Sequence, residues 1–161
     1  MEPSKWYFTY YFCQKGAMRL TRFSDIGLRA LMYLGAHRGR LVPTQEISER
    51  LNVSRDHLMK SLQALDAMGL VAATRGRGGG FSLRSEGSSI RLGDLVRSLE
   101  PSLALAECFE AVSTCPLTGD CRLSGVLAEA QRGFFDILDR YTVGDLVQAD
   151  RPRLVQLGAA S

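Results

Sequence analysis

Two amphipathic runs separated by a turn of a few residues constrain this sequence more than any other feature. In Thr44–Leu51, Ile47 and Leu51 stand four apart on one side. From Ser54 to about Met68, Leu58, Leu62 and Leu65 recur at the spacing of one helical face. Asn52 tolerates the left-handed conformation that closes a helix, and Gly69 is placed to end the second run. Ser54 is a favourable N-cap for that run, Thr44 is a candidate cap for the first, and Val53 is positioned to staple onto Leu58. Two helices joined in this way form a helix-turn-helix unit. Before it, Phe23, Ile26, Ala30, Leu31 and Leu34 mark a further helix from Thr21 to about His37, with Thr21 or Ser24 as its cap.

After the pair come Leu70–Thr74, the glycine-rich Arg75-Gly-Arg-Gly-Gly-Gly80, and Phe81-Ser-Leu83, which predict two short strands around a turn. That is a wing. The spacing predicts another helix over 92–100, stopped by Pro101, because the residue before proline disfavours helical geometry. Beyond Cys121, Leu123, Val126, Leu127, Ala130, Phe134, Ile137, Leu138 and Tyr141 draw an apolar stripe along roughly twenty residues, longer than a small core needs. Such a helix is expected to pair with its twin. Thr142 caps a last short helix through Val147, and the tail is expected to be loose. The fold class expected is mainly α with a small β wing: a winged helix-turn-helix domain plus a long dimerisation helix.

Charge divides unevenly along the chain. Residues 18–84 carry eleven Lys/Arg against five acids, a net of +6, whereas residues 85–161 carry seven against eleven, a net of −4. A basic first half and an acidic second half suit a nucleic-acid reader joined to an assembly or sensing element. An α-helix fits the major groove, and residues near the start of a recognition helix reach base edges. Ser54, Arg55, His57 and Lys60 occupy that place, although simple surface exposure explains His57 almost as well. Arg77, between glycines, is a candidate for the minor groove, with Arg75 near phosphate.

No segment approaches the roughly 20 apolar residues of a membrane span, and residues 1–17 lack the organisation of a secretory signal. A cytoplasmic address is expected, which disfavours structural disulfides and leaves the cysteines for metal or redox work. There is no glycine-rich phosphate loop and no nucleophile with a recognisable base, so an enzyme is not expected.

Cys108, Cys115 and Cys121 are separated by six and five residues. This is not the paired Cys-x-x-Cys spacing of structural zinc. Three thiolates on one loop suit an iron–sulfur cluster, with a fourth ligand from elsewhere for a four-iron cluster. On spacing alone, a thiol-redox switch or a zinc site remains open.

The segment Met18-Arg-Leu-Thr-Arg-Phe-Ser-Asp25-Ile-Gly-Leu-Arg-Ala-Leu-Met-Tyr-Leu34, the wing Arg75–Gly80, the loop Cys115-Pro-Leu-Thr-Gly-Asp-Cys121-Arg-Leu and the ending 138–147 resemble the Rrf-type winged-helix transcriptional regulators. Within that family the chain is most similar to the nitric-oxide-sensing repressors. The resemblance implies a homodimer on a palindromic operator in double-stranded DNA. It also implies a 4Fe-4S cluster (alternatively 2Fe-2S) held by Cys108, Cys115 and Cys121, with nitric oxide as the signal. It implies, further, that Asp25 is the fourth ligand, reaching over from the other subunit. An acid in the first turn of a helix is also favoured by the helix dipole without any metal. The iron–sulfur-biogenesis branch instead carries a histidine three residues after the third cysteine, where this chain has Ser124.

The expected organisation is an extension outside the family over 1–17, the winged helix-turn-helix domain over 18–84 and a connecting helix with the cysteine loop over 85–121. The dimerisation helix with a short last helix follows over 122–147, and a flexible tail over 148–161. Met18 is read as the natural start, with Cys13 outside the site and the aromatic run Trp6–Phe12 an aggregation hazard.

Overall fold

The computed structural model describes residues 19–159. Residues 1–17, including Cys13, lie outside the described residues, so the proposed extension does too. Helix α1 spans Arg22–Ala36, and Thr21 is its N-cap, accepting from the Ser24 N–H at 3.2 Å. Helix α2 spans Thr44–Leu51 and ends on Asn52, whose φ of 49° is the left-handed conformation expected there. The expected Thr44 cap is corrected. Pro43 holds the N-cap position and no side chain caps the helix, because Thr44 already lies in its first turn. Helix α3 spans Arg55–Ala67, with Ser54 accepting from the His57 N–H.

Strands β1 (Val71–Thr74) and β2 (Gly80–Leu83) pair antiparallel, Val71 opposite Leu83 and Thr74 opposite Gly80. Val42 adds an isolated bridge to Phe81, through bonds of 2.8 and 2.9 Å. Gly80 is needed there, since a Cβ at that position would stand 2.2 Å from the Val42 carbonyl oxygen. A short helix α4, Ser85–Ser89, follows β2 and was not expected from the sequence. Its five residues, SEGSS, hold no apolar side chain from which a period could be read.

Helix α5 covers Leu92–Leu99. An irregular segment with one 3₁₀ turn (Glu107–Phe109) then leads to α6, Arg122–Leu138. Helix α7 is Val143–Ala159. This overturns the short last helix through Val147 and, as far as residue 159, the loose tail of 148–161. Leu154 in the added stretch is buried, and the helix continues through Pro152 at the cost of the N–H that proline lacks. Thr142 does cap α7, in a reciprocal box: its hydroxyl oxygen accepts from the Asp145 N–H while its own N–H donates to the Asp145 carboxylate.

Ile26, Ala30, Leu31, Tyr33 and Leu34 of α1 form the centre of the core. Ile47, Leu58, Leu62, Leu65, Val71, Phe81, Leu92, Leu95 and Val143 surround them. Helix α1 packs on α2, α3, α5 and α7, and so touches both the helix-turn-helix pair and the later helices. Helix α6 stands apart. Phe135 is its one buried residue, and Leu123, Val126, Phe134 and Ile137 of its stripe are exposed.

Candidate functional site

The first turn of α3 projects away from the core because Leu58, Leu62 and Leu65 take the opposite face. Ser54, Arg55, His57 and Lys60 are all exposed there. The Ser54 hydroxyl and His57 Nδ1 share a hydrogen bond, which joins the cap to the ring. The wing exposes Arg75 and Arg77, and its reversal depends on Gly76 and Gly78, with φ of 98° and 81°. All six expected DNA contacts are therefore accessible, on the start of one helix and the tip of one hairpin.

The second candidate site begins where α5 ends. Glu100 accepts from the Thr21 N–H at 2.8 Å and from the Thr21 hydroxyl at 3.2 Å, which ties the start of the cysteine segment to the N-terminus of α1. Within the segment, the Glu107 carboxylate accepts from both the N–H and the hydroxyl of Thr114, at 2.7 Å each. Those bonds hold its carboxyl below the ordinary glutamate range. Cys108, Cys115 and Cys121 are half-buried free thiols, none in a disulfide. Ser124, at the position where the other branch has histidine, donates to the Cys121 carbonyl at 2.7 Å.

Asp25 sits in the first turn of α1, about half exposed, and forms an i,i+4 ion pair with Arg29. Among the described residues, no group of three or more His, Cys, Asp or Glu side chains is gathered around one metal position. The three thiols share a segment without converging, and Asp25 is not among them in this protomer. The donor chemistry nonetheless fits iron: three soft sulfur ligands, free and half-buried, lie on one segment whose regular structure is limited to the single 3₁₀ turn that holds Cys108, with Cys121 at the N-cap of α6. Glu100 was not legible from the sequence, since its partner lies 79 positions away and no local pattern marks the pair.

A three-helix core with a recognition helix, an arginine-tipped hairpin and a separate long helix defines a winged helix-turn-helix transcriptional regulator. The chain belongs to the Rrf2 family, described as iron-dependent transcriptional regulators, whose pattern matches residues 20–149. Among solved structures, it is similar to T. potens IscR, with 28% identity over 83% of this chain and 90% of that one and a TM-score of 0.65. The oxidized form of Staphylococcus aureus CymR matches at 24% identity over 81% and 96%, also at a TM-score of 0.65. CymR (YrzC), the global cysteine regulator of B. subtilis, matches at 23% over 82% and 98%, again at 0.65. The two CymR likenesses establish the fold. Among the described residues, no helix is long and apolar enough to cross a membrane.

Proposed function

We propose that the protein is a homodimeric, cytoplasmic repressor of the NsrR type. It binds a palindromic operator in double-stranded DNA and releases it in response to nitric oxide, derepressing genes of nitric oxide detoxification. Cys108, Cys115 and Cys121 of one subunit and Asp25 of the partner subunit would hold a 4Fe-4S cluster. The observation that carries this function is the set of three free, half-buried thiols on one irregular segment of an Rrf2 chain. Ser124 supports the nitric oxide sensor over the IscR-like iron–sulfur or iron-status regulator, because its hydroxyl is a poor substitute for an imidazole ligand.

A bound cluster would supply iron centres that react with nitric oxide. The chain's own residues supply the route to DNA. Glu100 connects the cysteine segment to Thr21. Two residues on, the Phe23 carbonyl accepts from the Ser61 hydroxyl at 3.0 Å, and Ser61 lies inside α3. A change in the shape of the cysteine segment thus reaches the recognition helix through two hydrogen-bonded joints and the α1–α3 packing. A 100-fold difference in operator affinity between the two forms corresponds to about 2.7 kcal/mol, an ordinary coupling magnitude.

The test is metal analysis and operator binding on full-length protein purified without oxygen. About four irons and four sulfides per chain, affinity lost on adding nitric oxide, and an altered cluster spectrum or stability in Asp25→Ala are the expected results. Zinc, or no metal at all, would replace the cluster by a zinc or thiol switch. Two irons per chain would indicate a 2Fe-2S centre, and a response to iron depletion without one to nitric oxide would restore the IscR-like function.

A further inference from the structure

A cavity of about 480 Å³ opens between α5, α6 and the stretch that leads into Cys108. Its apolar lining is Leu103, Ala104, Phe109 and Phe135. The Gln131 amide, also on the wall, donates to the Leu103 carbonyl and so fastens that stretch to α6. Of the charged groups on the wall, Arg97 is already engaged. Arg97 spends both terminal nitrogens on Asp139, at 2.9 and 2.8 Å, and lays its guanidinium over the Phe135 ring at 4.2 Å.

Arg132 and Asp136 are the other charges on the wall, and Asp136 lies near enough to Arg97 to act on it through space. They stand one helical turn apart on α6, both exposed, and among the described residues neither makes an ion pair with the other or with any other group. A cation and an anion side by side on one helix face, unpaired with each other and above an apolar floor, complement a molecule that carries both charges on one carbon and an apolar substituent. A simple anion would meet Asp136 and a simple amine would meet Arg132. At roughly 100° per residue, Gln131, Arg132, Phe135 and Asp136 lie on the side of α6 away from the Leu123–Val126–Phe134–Ile137 stripe. Pairing of two chains along that stripe leaves the cavity open.

We propose that this cavity binds an α-amino acid with an apolar side chain. Arg132 takes the carboxylate, Asp136 the ammonium, and Leu103, Phe109 and Phe135 the side chain. Because Phe109 adjoins Cys108, such a ligand orders the stretch before the first cysteine. The site does not depend on a cluster.

The experiment is calorimetric titration of the full-length protein with L-leucine and L-phenylalanine, with 3-phenylpropanoate and phenethylamine as the matching single-charge compounds. Saturable binding of at least one amino acid is expected, with both single-charge compounds weaker by at least about tenfold. Arg132→Gln and Asp136→Asn are each expected to weaken it by about tenfold, with thermal unfolding unchanged because both side chains are exposed. Absence of heat with both amino acids overturns the proposal. So does equal binding of 3-phenylpropanoate or phenethylamine, or full affinity in Arg132→Gln.

Discussion

Tyr33 shows how a single side chain joins the helices that matter. It is fully buried in α1, its hydroxyl donates to Glu46 of α2 at 2.8 Å, and the His37 ring rests 4.3 Å from its own. Burial, reinforced by the bond to Glu46, pushes its phenol up to about 12. Burial alone would raise the Glu46 carboxyl, but the hydrogen bonds from Arg40 and Tyr33 outweigh it and hold the group below its ordinary value. A tyrosine whose pKa is raised on folding contributes stability in full below its unfolded value of about 10, and that contribution disappears as pH rises through the folded value. Denaturant titrations of wild type and Tyr33→Phe are expected to differ by a constant amount up to about pH 10 and to converge between pH 10 and 12. A difference unchanged across that range would place the stabilisation elsewhere. In the sequence Tyr33 is one residue of an amphipathic helix, because nothing local says that position 46 will face it.

Among the elements, the joint between α5 and α6 is the most exacting. A Cβ on Gly93 would stand 1.8 Å from Asp139 Oδ1, so only glycine leaves room for the carboxylate that Arg97 grips with both nitrogens. Gly93→Ala is expected to displace Asp139 and lower the melting temperature by a few degrees. Combined with Arg97→Ala, the loss should be smaller than the sum of the two, since both changes remove the Arg97–Asp139 pair while only the second removes the contacts of Arg97 with Phe135 and Asp94. Full additivity in a double-mutant cycle would show that glycine serves α5 for another reason. The periodic elements were legible because each advertises its own face: α1, α3 and α6 begin and end within a few residues of expectation, and Asn52 and Ser54 mark the turn. The second half of α7 was not. Pro152 reads locally as a stop, yet the helix runs on through it, with Leu154 buried beyond it and α7 packed against α1.

For the whole molecule, the exposed stripe of α6 is the feature a single chain leaves unexplained: Leu123, Val126, Phe134 and Ile137 all leave apolar surface uncovered. In the dimer proposed here the two stripes pair and set the distance between recognition helices, which must match half-sites about one turn of DNA apart. Ile137→Glu is expected to give a monomer in sedimentation equilibrium and to weaken operator binding by about 100-fold or more, because one half-site is lost. A folded Ile137→Glu dimer with full affinity would exclude this face as the contact. Local periodicity, turn chemistry and charge division determined the helix-turn-helix, the wing with its two arginines and the existence of the long helix, since each depends on residues a few positions apart. Tertiary structure alone decided that Glu100 meets Thr21, that Arg97 meets Asp139, that Tyr33 meets Glu46, and that α6 stands off the core with a cavity behind it. Those pairs are separated by 79, 42 and 13 positions, and contact over such distances follows from how the helices pack rather than from any pattern carried within one of them.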